Sequence, residues 1–480
     1  MTSATTQPID PVPTAPSGGA PRSPKGWFGQ YLRRLHFLAG IFVGPFILIA
    51  ALSGAVYALT PQLEQVIYAD QLSVPATADP LPLAAQVEAS NQFLGPDATP
   101  AAVRPAPEPG DTTRVMYADA ALGPDESRAI FVDPGTGEVL GDLTVYGTSG
   151  ALPLRTWVDQ LHRGLHLGDV GRVYSELAAS WLWVIALAGL GLWIKRAVSG
   201  TSIRTLLRPG GPRGLRRTRS WHMSVGVWVA VGMLFLSATG ITWSQFGGGN
   251  VTKLREVVDW STPVVATSPD GTSAEGGEHA DHGAAPPAAG PAPDIDPATF
   301  DSVLAEAQQV NVNTGLVQIS APTDADSAWV VTEIQRSYPT EVDSVAIDGR
   351  TLQVVDRVDF VDFPVAAKLA RWGIDLHMGS MFGLPNQIVL FLLASGIAAM
   401  VVWGYVMWWQ RRPKHNPAQR FGVVPPRGAL ARASLWGVSA VVGLALAMGW
   451  FLPVLGASLL GFVIVDALLE LRAARRTNAD

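Results

Sequence analysis

Apolar residues along the chain gather into long unbroken blocks, separated by polar segments that carry shorter, alternating patterns. The blocks are Leu35–Leu59, Leu177–Ile194, Met223–Trp243 and Ile388–Trp409. At about 1.5 Å per residue, each is long enough to cross about 30 Å of hydrocarbon if its ends extend slightly. A last block, Leu435–Leu469, is broken by "GWFLP" around Pro453 and predicts a hairpin of two helices, which makes six spans. The first block follows Arg33 and Arg34 and exceeds the apolar length of a signal peptide, so it predicts an uncleaved spanning helix. Residues 1–26, rich in Pro, Thr, Ser and Gly, predict a disordered tail.

Between the blocks the period changes. "RAIFVDPGTGEVLGDLTV" at 128–145 and "DSVAIDGRTLQVVDRVDF" at 343–360 alternate apolar and polar positions around Asp-Pro-Gly and Asp-Gly, which predicts a β-hairpin in each. Upstream, "PLAAQVEAS" and "TFDSVLAEAQQV" predict amphipathic helices. Two small α+β domains are therefore expected, at 61–155 and 247–365. Residues 267–294 read as a low-complexity linker, and "GGG" at 247–249 as a hinge.

Composition changes the picture in two ways. With 48% hydrophobic and 15% charged residues in concentrated blocks, the pattern is that of a polytopic membrane protein. With no cysteine, disulfides, iron–sulfur clusters and covalently attached haem are excluded. Charge is segregated: residues 197–220 and 413–432 are strongly basic, whereas the two α+β segments are acid-rich. The basic loops are expected in the cytoplasm with both termini, and the α+β domains outside. The membrane segments are then 27–60, 156–196, 221–246, 366–412 and the hairpin 433–471, with histidines at the outer ends of the second and fourth. No nucleic-acid partner is expected.

The chain contains an internal duplication. "LHFLAGIFVGPFILIAALSGAVYA" from Leu35 aligns without gaps with "WHMSVGVWVAVGMLFLSATGITWS" from Trp221, matching His36 to His222, Gly40 to Gly226 and Gly54 to Gly240. His166 is matched to His377 and Gly168 to Gly379, both within Leu-His-apolar-Gly. Parallel repeats are related by an axis along the membrane normal. His36 is therefore expected to pair with His222 at the inner side, and His166 with His377 at the outer. A lone histidine at a helix end snorkels to the interface more often than not. Four symmetry-matched histidines, each followed by glycine, instead suit two b-type haems held by paired imidazoles in a four-helix bundle.

Haem propionates would call for basic neighbours: Arg33, Arg34 and Arg219 at the inner pair, and Arg163, Arg172 and Arg371 at the outer. Positive-inside bias alone explains the inner three. His162 has no partner under this alignment, since Gly373 takes the matching place. It is left as an alternative ligand, a substrate contact or a hydrogen-bonding residue. His162, His166 and His377 together keep a zinc or copper site open at the outer end. The linker's Glu278–His282, "EHADH", is read as solvated. Ser53 and Thr239 are read as helix-packing contacts. No nucleotide or flavin motif is present, so electrons would come from a partner protein or a membrane quinol.

The Arg-Arg-Leu-His opening of the first span, the "FVDPGTGEVLGD" hairpin, "WHMSVG" and "DLHMG" together resemble the PepSY-associated transmembrane family of bacterial inner-membrane proteins, over roughly residues 28–412. The resemblance implies PepSY folds for the outer domains and a place in the bacterial cytoplasmic membrane. Because some members are di-haem ferrisiderophore reductases, it also implies electron transfer to a ferric siderophore or other iron chelate outside. The rival expectation is a non-redox membrane protein whose PepSY domains bind or inhibit a peptidase.

Overall fold

The computed structural model describes residues 26–95, 98–123, 125–268, 295–413 and 422–477. The tail, most of the linker with Glu278–His282, and the start of the loop 413–432 lie outside the described residues.

The first apolar block forms two helices, α1 (Trp27–Phe42) and α2 (Gly44–Tyr57), bent by 62° at Val43. Pro45 explains the break: it offers no N–H to the preceding turn and fits a helix only in its first turn. The matching position in the second copy is Val231, and that helix runs on without a break. After α3 (Thr60–Ile67) and α4 (Ala69–Leu72) come α5 (Leu83–Leu94) and strands β1 (Pro100–Arg104), β2 (Thr113–Tyr117), β3 (Glu126–Val132) and β4 (Val139–Tyr146). The chain returns through α6 (Pro153–Gly164), α7 (Gly168–Val198) and α8 (Ile203–Leu207), and the second copy opens with α9 (Leu215–Thr242). Then follow α10 (Phe246–Val257), α11 (Ala298–Val310), β5 (Val317–Ser320), β6 (Trp329–Glu333), β7 (Ser344–Ile347), β8 (Val354–Val358), α12 (Val365–Met378) and α13 (Leu384–Gln410). The last two helices are α14 (Leu435–Phe451) and α15 (Pro453–Thr477).

Helices α7, α9 and α13 are each long and apolar enough to cross a membrane, and the bent α1–α2 pair supplies a fourth span. They pack around Val43, Ile47, Trp181, Ile185, Met233 and Ile397, while Trp228, Val231 and Leu392 face outward as lipid contact requires. The molecule is an integral membrane protein. The expected hairpin is present as α14–α15, with Gly449 against Gly456: a Cβ on Gly456 would lie 2.6 Å from the Gly449 Cα. Trp181 Nε1 donates to Ser458 Oγ at 2.8 Å and ties α15 to α7.

The two α+β segments do not stay apart. Their strands form one eight-stranded antiparallel sheet in the order β4-β3-β2-β1-β5-β6-β7-β8. The copies meet at β1 and β5, where Ala102 pairs with Ser320 and Val103 with Ile319. Beneath the sheet, α5 and α11 share one core with Val87, Val103, Phe300, Val303, Ile319 and Ile347. Asp301 of α11 accepts the Leu83 and Ala84 N–H groups at 2.8 Å each, capping the helix of the other copy. The "GGG" segment is no hinge but the first turn of α10, whose Phe246 and Gly247 N–H groups donate to the buried Glu176 carboxylate at 2.9 and 3.0 Å.

Candidate functional site

His36 on α1 and His222 on α9 face one another at the end of the bundle that carries the basic loops, with ring centres 6.1 Å apart and planes at 78°. Nδ1 of His36 lies 3.0 Å from the Ile185 carbonyl oxygen on α7, and Nδ1 of His222 lies 3.1 Å from that of Met400 on α13. A carbonyl oxygen can only accept, so Nδ1 carries the proton on both rings and Nε2 keeps its lone pair. Both rings line a cavity of about 270 Å³. Gly40, Gly189, Gly226 and Gly404 line it too, and a Cβ on Gly189 would lie 3.1 Å from His36 Cε1. Arg33, Arg219 and Arg411 are at its margin. Arg34 donates at 2.6 Å to the carbonyl oxygen of Pro425, itself a lining residue.

A metal bound about 2 Å from an imidazole nitrogen on each side sets the ring centres roughly 6 Å apart once the ring radii are added. The inner pair meets that spacing. Among the described residues, no carboxylate and no third imidazole lines the cavity. The donor set therefore fits two axial nitrogens on a flat macrocycle, and does not fit a tetrahedral ion.

At the sheet end the histidines are His162 on α6 and His377 on α12. His162 Nδ1 is 3.0 Å from Ser53 Oγ, and His377 Nδ1 is 2.5 Å from Thr239 Oγ1. Ser53 donates its own proton to the Ile49 carbonyl at 2.8 Å, and Thr239 to that of Phe235 at 2.9 Å. Each hydroxyl oxygen therefore accepts from Nδ1–H, and Nε2 is again the nitrogen left over. His162 and His377 are within electrostatic reach of each other, and Trp243 packs on the His377 ring at 5.3 Å.

His166 is not part of this arrangement. It is exposed, sits with Leu165 in a left-handed turn between α6 and α7 (φ 55° and 53°), and rests its ring on Trp157 at 4.9 Å. The histidine that shares the hydroxyl-held arrangement of His377 is thus His162, and the structure does not bring His166 to His377 as expected. Leu-His-x-Gly occurs twice in residues 161–168, and the expected alignment took the second occurrence. Tryptophan decides between them: Trp157 stands five residues before His162 as Trp372 does before His377, and the same offset carries Ile185 onto Met400. Nor do His162, His166 and His377 converge as metal ligands; among the described residues the one such cluster is acidic and lies in the sheet.

The outer arginines brace helix ends. The Arg163 guanidinium lies over the Tyr146 ring at 5.7 Å, Arg172 Nη2 donates to the Trp243 carbonyl at 3.0 Å, and Arg371 Nε pairs at 3.0 Å with Asp375, which is wholly buried. Between sheet and bundle stand arginines that the sequence pattern does not mark, because they are scattered over strands and loops. Arg104 Nη2 donates to Thr148 O at 2.7 Å, Arg114 Nη1 to Gly150 O at 3.2 Å, and Arg336 Nη2 to Thr148 Oγ1 at 2.8 Å. Burial, and then the charges of Arg114 and Arg336, push Arg104 down to about 9. Arg155 pairs with Glu64 at 2.7 Å, where burial raises the Glu64 carboxyl despite that partner.

Among curated proteins none matches the chain. The sequence does match the PepSY-associated TM region family over residues 33–411, from the arginine beside the first histidine to the arginine at the cavity margin. That span is well over half of the 480 residues, and it takes in both copies, the shared sheet and all four aimed histidines, so the chain belongs to the PepSY-associated TM region family.

Proposed function

We propose that the protein is a di-haem b-type oxidoreductase of the bacterial cytoplasmic membrane, which carries electrons from the cytoplasmic face to a ferric siderophore or other iron chelate outside. One observation carries this reading. Two imidazoles, one from either copy, face each other at the basic end, one more from each copy lies at the sheet end, and every Nδ1 is held by an oxygen of its own copy so that Nε2 is free to ligate. His36 with His222, and His162 with His377, are the axial pairs. Bound haem supplies a one-electron iron couple near each face. At the inner pair, the glycines that line the cavity would leave room for a flat ring, and Arg33, Arg219 and Arg411 would be available to its propionates.

The basic loops support a cytoplasmic His36 end and a sheet outside, and a quinol or a partner protein would be the donor. Arg104, Arg114 and Arg336 give the space between sheet and bundle a positive potential suited to an anionic chelate.

The test is optical and analytical: full-length protein expressed with ample haem should show a Soret band and dithionite-reduced α bands, with two haems per chain by the pyridine assay. His36→Ala or His222→Ala should remove one haem, and His162→Ala or His377→Ala the other. A colourless protein indifferent to these changes would overturn the proposal and favour the peptidase-binding role.

A further inference from the structure

The second half of the sheet carries a group of oxygen donors that the electron path does not use. Glu333 closes β6 and is wholly buried, Asp343 stands just before β7 and is buried, and Glu341 lies in the loop between them, partly exposed. One carboxylate oxygen of each lies within 4.8 Å of the others. Part of the cluster is satisfied: Glu333 Oε1 accepts the Asn313 and Thr314 N–H groups at 2.6 and 2.8 Å, Asp343 Oδ1 accepts Phe360 N–H at 2.7 Å, and Asp343 Oδ2 accepts from Asn311 Nδ2. Glu333 Oε2 is buried without a hydrogen-bond partner, and so are the hydroxyl oxygens of Thr314 and Thr340. The neighbouring Arg357 guanidinium pairs with Asp359 at 2.6 Å. A buried carboxylate oxygen without a partner, set against two like charges, is unfavourable until a proton or a cation meets it.

The first copy shows what the position holds otherwise. Glu333 stands opposite Val317 as Tyr117 stands opposite Pro100. Tyr117 is fully provided for, with its hydroxyl 2.8 Å from Ser90 Oγ and donating to Asn91 at 2.7 Å.

We propose that Glu333, Glu341 and Asp343 form a binding site for a hard divalent cation, with calcium the best fit. Three carboxylates set irregularly at a strand end and in a loop suit the flexible all-oxygen coordination of calcium better than the near-ideal octahedron that magnesium demands. Donors that are all oxygen disfavour zinc and copper. The cation would tie the end of β6 to the start of β7 and so close the loop 334–342. That loop reaches the turn after His377: Tyr338 N–H donates to the Met381 carbonyl at 2.8 Å, and Arg336 Nη1 lies 3.8 Å from Met378 Sδ. Calcium here would brace sheet against bundle, and the inference does not depend on haem.

Full-length protein in detergent, stripped with a chelator, would be titrated with calcium chloride by calorimetry and followed by thermal unfolding. One calcium per chain is expected, with a rise in Tm that magnesium at equal concentration reproduces only in part. Glu333→Gln and Glu341→Gln should each weaken binding at least tenfold. Glu341 is partly exposed, so its variant keeps the test decisive if Glu333→Gln does not fold. Absence of calcium binding by the unaltered protein, binding unchanged in the folded variants, or magnesium binding as tightly as calcium would each overturn the proposal.

Discussion

Each aimed histidine is oriented by a group of its own copy, a carbonyl at the basic end and a hydroxyl at the sheet end. The hydroxyls of Ser53 and Thr239, expected as packing contacts, are thereby positioning residues for the rings. Ser53→Ala and Thr239→Val should leave the fold intact but weaken haem retention at the sheet end by roughly 10–100-fold, with a changed electron paramagnetic resonance signature for that haem alone. His166→Ala should keep both haems where His162→Ala loses one, and a haem count on the two variants separates them. The histidines were legible in the sequence because repetition singles them out. Their partners were half legible: His36 and His222 lie in a long gap-free match, while the tandem Leu-His-x-Gly at 161–168 offers two registers that only the tryptophan five residues upstream tells apart.

At the scale of elements, the helices were legible because a membrane demands long apolar runs, and the later hairpins because turn residues mark them. Strands β1, β2, β5 and β6 were not: β1 and β2 are buried over most of their length, which removes the alternation of polar and apolar positions, and β5 and β6 alternate in burial but run for only four and five residues. The bend at Val43 was visible only as "GPF" in an apolar run, and Pro45→Ala should straighten α1–α2 and shift His36 relative to His222. Loss of the inner haem with retention of the outer, read by haem count and spectrum, is the expected outcome. Gly189→Leu should do the same from the other side, because its Cβ would already stand 3.1 Å from the His36 ring.

The whole molecule departs most from the sequence reading, because nothing local records that two repeated domains will share a sheet. Pairing of β1 with β5 and the Asp301 cap on α5 join the copies into one core. Ile319→Ala, at the seam, should cost about 2–5 kcal/mol and destabilise both halves of the sheet in a single transition. Differential scanning calorimetry would show one lowered peak, whereas independent domains would leave one peak in place. Asp301→Ala should cost about 0.5–2 kcal/mol by the same measurement.

The antiparallel seam has the form of an isologous contact, the kind made by two identical subunits about a two-fold axis. Each copy orients its own imidazoles, but neither copy alone supplies both members of a pair. The chain is thus organised as a homodimer written into one polypeptide. Either half produced by itself should have no place to hold a cofactor, while the two halves expressed together should recover both.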